Sequence, residues 1–112
     1  MNHDLKESDR ELLRQLHPVA LERFCQRVLG EVEHVAADPT KNYHQRFLDL
    51  YTLIHDSDKE LEHTFDHPRR SEAIVELAAI KKNELLTDEE FAGFSLETRE
   101  AVETLLKIFQ QH

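Results

Sequence analysis

Between residues 41 and 65 the apolar residues of this chain recur at intervals of four and three. Phe47, Tyr51 and Ile54 are followed by Leu61 and Phe65, and Asp58 fills the one slot left in the repeat. A period of about 3.5 residues is that of a helix packed along its length on another helix, so helix-on-helix packing is predicted. A carboxylate in such a seam must be paired, neutralised or left at a wet edge. The seam speaks of architecture and partner register, and it names no reaction.

The rest of the chain reads as helices of the same kind. Residues 1–7 form a polar, flexible lead-in, and 8–112 a single helical domain. Ser8 and Glu11 have the spacing of a capping box ahead of Leu12, Leu13 and Leu16. Pro18 is predicted to end or sharply kink that helix and to open the next, over 18–37. That second helix presents Leu21, Phe24, Cys25, Val28, Val32 and Val35 on one face, with Gly30 almost opposite. Asp38-Pro39 makes a short break, so 18–37 and 41–65 are predicted to form a long antiparallel pair, the spine of the fold. Tyr43 and Leu50 widen the apolar arc of 41–65 enough for more than one neighbour.

After Asp66-His67-Pro68, a helix over about 69–83 carries Glu72 and Glu76 early and Lys81 and Lys82 late, an order that complements its dipole. Its inward face is Ala73, Ile74, Leu77 and Ile80. Thr87 and Glu90 form a second capping box for a very short helix that stops at Gly93. Ser95 caps the last helix, with Val102, Leu105, Leu106 and Phe109 facing in. Two glycines and three prolines are too few for a sandwich of many short strands. The fold class is therefore all-α, a compact bundle of about five helices.

Charge narrows the partners. Acidic residues outnumber basic ones by 23 to 14, for a net charge of −9, and no long basic stripe is present. Nucleic acid and anionic membrane are excluded as first choices. A homodimer or a complex with another protein is expected instead. The single cysteine, Cys25, excludes an intramolecular disulfide, and its place on an apolar face predicts a buried thiol. No apolar signal segment follows Met1, and nothing approaches the ~20 apolar residues of a membrane span, so a cytoplasmic location is expected.

Histidine and carboxylate spacings supply the candidate chemistry. Glu31-x-x-His34 and Glu60-x-x-His63 have the spacing of carboxylate-bridged di-iron bundles, but both histidines project outward from the apolar seams. His63 and His67, one turn apart with Asp66 between them, form a simpler candidate for a divalent transition metal. His44, His55 and Glu62 lie along one edge of 41–65, with Asp58 three residues after His55. These residues make the alternative reading, a metal- or small-ligand-binding bundle. Asp58 and His55 have no nucleophile, oxyanion site or glycine-rich loop beside them in the sequence, so a structural polar pair is expected over a catalytic one. Arg70 is the expected partner of Asp58, then Arg69, then His55.

One local resemblance is present. Glu76-Leu77 through Ile80, followed by Leu85-Leu86-Thr87-Asp88-Glu89-Glu90-Phe91, resembles the helix–turn–helix of the short C-terminal (SHOCT) domain family. Asn83 or Glu84 stands where that family usually has glycine, and no basic residue follows Phe91. The resemblance implies protein–protein contact. Together these readings give a non-catalytic protein with no cofactor, acting through contact along Phe47, Tyr51, Ile54, Leu61 and Phe65.

Overall fold

The computed structural model describes residues 5–65 and 73–110. Five helices follow one another, with no strand among the described residues. They are α1 (Glu7–Ala36), α2 (Tyr43–Phe65), α3 (Ala73–Lys82), α4 (Asp88–Ala92) and α5 (Leu96–Gln110). The fold is all-α, and α1 and α2 are its most closely packed pair. No helix among the described residues is long and apolar enough to cross a membrane.

The predicted break at Pro18 does not occur. Pro18 lies inside α1, which runs on for 30 residues. A proline there removes one backbone donor and crowds the preceding turn, at a cost of about 3 kcal/mol. Leu13, Leu16, Ala20 and Phe24 form a buried stripe that stays in phase across it. Full burial of a large apolar side chain contributes about 1.5–3 kcal/mol, so the stripe outweighs the proline. Pro18 and Arg14, whose carbonyl loses its helical partner, are both exposed, which lowers the cost of leaving that carbonyl outside the ladder. The capping box at Ser8 is also absent. Lys6 holds the N-cap position without a side-chain bond, and Glu11 pairs with Arg14 instead. Of the expected lead-in, residues 1–4 lie outside the described residues, and Leu5 is buried.

The tip of the α1–α2 hairpin is closely tied. Asp38 accepts hydrogen bonds from the Thr40 N–H at 2.9 Å and the Thr40 hydroxyl at 2.6 Å. Asn42 caps α2 by accepting from the Gln45 N–H at 2.8 Å. Arg46 reaches back across the turn and donates to the carbonyls of Ala36 (3.1 Å) and Lys41 (2.9 Å). At the other end Phe65 meets His17 and Phe24 edge-on, with centroids 5.4 and 6.1 Å apart. The two helices are therefore antiparallel, as predicted.

Only the base of this hairpin enters the core. Buried apolar residues come from the first half of α1, the end of α2, α3 and the segment 85–102, and no residue from Cys25 to His63 is fully buried. The molecule is elongated, 53 × 27 × 24 Å, with a radius of gyration of 16.7 Å. A compact chain of this length would have about 13 Å. The far part of α1 and α2 forms an arm.

Polar side chains of α1 fix the C-terminal helices to the base. Asp9 is 2% exposed. Its carboxylate accepts from the Ser95 N–H (2.9 Å), the Ser95 hydroxyl (2.7 Å) and the Thr98 hydroxyl (2.7 Å). Burial pushes its pKa up, but these hydrogen bonds outweigh burial and hold it below the ordinary carboxylate value. Ser95 in turn accepts from the Thr98 N–H, so it caps α5 as predicted while being held by Asp9. Further along α1, Arg23 grips Glu90 through both guanidinium nitrogens, at 2.6 and 3.0 Å, and donates to the Leu85 carbonyl. Arg27 donates to the carbonyls of Asn83 and Glu84 at the end of α3.

Glu84 has φ = 57°, in the left-handed region. The Leu85 N–H reaches the Ile80 carbonyl and the Glu84 N–H reaches that of Lys81, the paired bonds of a Schellman turn that glycine normally serves. The predicted capping box follows, with Thr87 and Glu90 bonded reciprocally. The SHOCT-like stretch is thus a helix, a left-handed turn and a capped helix start.

Two outcomes are expected. Glu84→Gly relieves the left-handed residue and raises stability by about 1 kcal/mol, measured by urea unfolding. The second concerns acid. The guanidinium of Arg23, with the Thr87 N–H, holds Glu90 at a pKa of about 2. Glu90, like Asp9, ionises at lower pH folded than unfolded. Its stabilisation is complete above about pH 4.5 and is lost as the pH falls towards 2. Glu90→Gln is expected to lower stability at pH 7 by about 1–3 kcal/mol and to flatten this acid limb of the unfolding free energy.

Candidate functional site

The seam of α2 divides between core and solvent. Leu61 is half-buried and Phe65 buried, but Phe47, Tyr51 and Ile54 are exposed. The side of α2 that faces α1 is a different stripe, Arg46, Leu50, Leu53, Ser57, Leu61 and Thr64, all half-buried or buried. At about 100° per residue the exposed seam lies roughly a quarter-turn round from it. The wide apolar arc is therefore present, and only one side of it is covered.

The uncovered side is large. Tyr43 is 83% exposed, Phe47 64%, Tyr51 67%, and Leu48 and Ile54 are also open. Leu29 of α1 stands exposed across a groove of about 340 Å³ from Ile54. The groove is walled mainly by apolar side chains, among them Phe24, Val28 and Leu61. With about 200 Å² for each side chain, these six residues expose roughly 700 Å². The largest apolar patch on an ordinary monomer is about 300–600 Å². Arg46 lies 4.7 Å from the Tyr43 ring, and His55 stacks parallel to Tyr51 at 6.2 Å, so two of the aromatics are held in place.

Asp58 sits at the rim of that groove and is exposed, the wet-edge outcome. Among the described residues nothing hydrogen-bonds or pairs with it. Arg70, Arg69 and His67 lie outside the described residues, so the Asp58–Arg70 and His63–His67 pairs do too. His55 is directed to Tyr51 rather than to Asp58.

Among the described residues, those of the metal alternative do not converge. His44, His55, Asp58, Glu62 and His63 are all exposed along one helix, and the 1.5 Å rise per residue separates His44 from His55 by about 16 Å. No group of three or more His, Cys, Asp or Glu among the described residues is placed to hold an ion. Cys25 is half-buried on the groove wall.

A polar pair beside a pocket has no counterpart in the sequence reading. His17 donates from Nδ1 to Glu76 Oε1 at 2.8 Å, joining α1 to α3 beside a pocket of about 380 Å³. Arg10 and Arg14 also line it. The carboxylate fixes the imidazole tautomer, as in a general-base pair. No Ser, Thr, Cys or Lys is among the described lining residues. The pair's geometry is that of a tie between helices. The only signal in the sequence was that both residues sit near inward stripes, 59 positions apart.

In comparisons with known protein families, curated proteins and solved structures, nothing matches this chain. The SHOCT-like stretch accordingly stands as a local turn geometry.

The division of the seam has a direct readout. At submicromolar concentration, Phe47→Ala and Tyr51→Ala are each expected to change unfolding free energy by less than about 0.5 kcal/mol, and Phe65→Ala to cost about 3 kcal/mol or more.

Proposed function

We propose that this is a non-catalytic helical protein of the cytoplasm that acts by protein–protein contact and forms a homodimer through its α1–α2 arm. The observation that carries the reading is the exposed strip Tyr43, Phe47, Tyr51 and Ile54 with Leu48 and Leu29 beside it. A surface of roughly 700 Å² per copy approaches the ~800 Å² that each partner contributes to a stable interface of standard size. Aromatic side chains supply most of it, and these dominate interface energetics.

The arm is also ready to bind. Its tip is fixed by Arg46, Asp38 and Asn42, so little backbone freedom remains to be lost on association. A single unpaired cysteine agrees with a reducing compartment. An arm with no fully buried residue between Cys25 and His63 gains its missing cover from a partner.

Light scattering at tens of micromolar tests the reading. A mass near twice 13.2 kDa is expected for the natural chain. Tyr51→Asp places a charge in the centre of the strip and is expected to give a monomer with unchanged helical content. A natural chain that stays monomeric at that concentration ends the homodimer.

A further inference from the structure

We infer that the two copies pair with α2 antiparallel to α2 of the other, crossing between Phe47 and Tyr51; this rests on the homodimer proposed above. Position comes first. The exposed residues Tyr43, Phe47, Tyr51 and Ile54 are centred there, so a crossing at that point covers the whole strip on both copies at once. A two-fold arrangement of this kind uses one patch twice and closes on itself.

Charge sets the direction. The turn before α2 and its start carry Lys41 and Arg46 against Asp38 and Asp49, a balanced set in which Lys41 is bonded to Asp49 at 2.7 Å. The end carries Asp56, Asp58, Glu60 and Glu62, with Lys59. No acidic residue lies in the first turn of α2. This order opposes the helix's own dipole, which favours acids at the start and bases at the end. Within one chain Lys41 and Arg46 serve the hairpin tip, and the acidic run at the other end of α2 has no such use. Parallel pairing would set acidic end against acidic end, whereas antiparallel pairing lays each acidic end along the other copy's charge-balanced start and avoids that repulsion. Lys41 is already paired with Asp49 of its own chain at 2.7 Å, so what the antiparallel direction gives Asp58 is distance from the acidic end of the other copy.

Register follows from the alternation of four and three. Phe47 of each copy opposes Tyr51 of the other, the layering of antiparallel helices. The same register carries Tyr43, the most exposed aromatic, to the mouth of the groove at Ile54 of the second copy.

Disulfide trapping reads the direction. In a Cys25→Ser background, Phe47→Cys and Tyr51→Cys variants are oxidised separately and as an equimolar mixture. Both positions are exposed, so the variants are expected to keep the natural circular dichroism spectrum. Bridging needs Cα atoms within about 7 Å, so the mixture is expected to give the 47–51 heterodisulfide at least about fivefold over either homodisulfide. Homodisulfides from each variant alone would overturn the antiparallel direction and leave the dimer standing. A natural chain that is dimeric by light scattering, with no disulfide from any sample, would place the dimer on another face and overturn the inference. A monomeric natural chain would remove the homodimer itself, and the pairing with it.

Discussion

The carboxylate of Asp9 holds the fold together at its least forgiving point. It sits at 2% exposure in the buried stripe of α1, with three donors from the first turn of α5 aimed at it. A buried charge is tolerated only when its hydrogen-bonding capacity is filled. Filling it fixes where α5 begins, 86 residues away in sequence, and sets the register in which Val102 closes the core. His17, Arg23 and Arg27 repeat the device further along the same helix, each reaching α3 or the turn after it. α1 organises everything that follows it.

The sequence contains two acids in apolar repeats, and periodicity ranks them equally. Asp58 lies in the longer and cleaner repeat, yet it is the exposed one. Asp9 precedes Leu13, Leu16, Ala20 and Phe24 at helical spacing and is buried. What separates them is the set of donors each meets in three dimensions. Ser95 and Thr98 stand three apart at a helix start, a legible cap, but their second partner is invisible until the chain folds. At Pro18 the helix does not end, for a related reason. Local preference favours a break there, and the burial that overrides it is a property of the assembled core. Helix identities, the capping box at Thr87 and the antiparallel pair were legible because local chemistry specifies them.

The candidate surface was half legible. The apolar arc of α2 was too wide for one neighbour, and the structure leaves the side bearing Phe47 and Tyr51 open. Which end of the seam entered the core was not readable, since Phe65 and Phe47 occupy equivalent slots in the repeat. His17 and Glu76 form the one His–carboxylate bond among the described residues, and neither belonged to a spacing motif. A bond between distant helices leaves no periodic trace.

The continuity of α1 through Pro18 has a mechanical consequence. Thirty residues of helix make a rod of about 45 Å, shared by the core and the arm. It is clamped by Asp9, His17, Arg23 and Arg27, and the stretch beyond Arg27 runs in the arm beside α2. Movement at the tip is therefore passed along one helix to the contacts at the α5 start and the α3–α4 turn. The arm behaves as a lever whose fulcrum is the core.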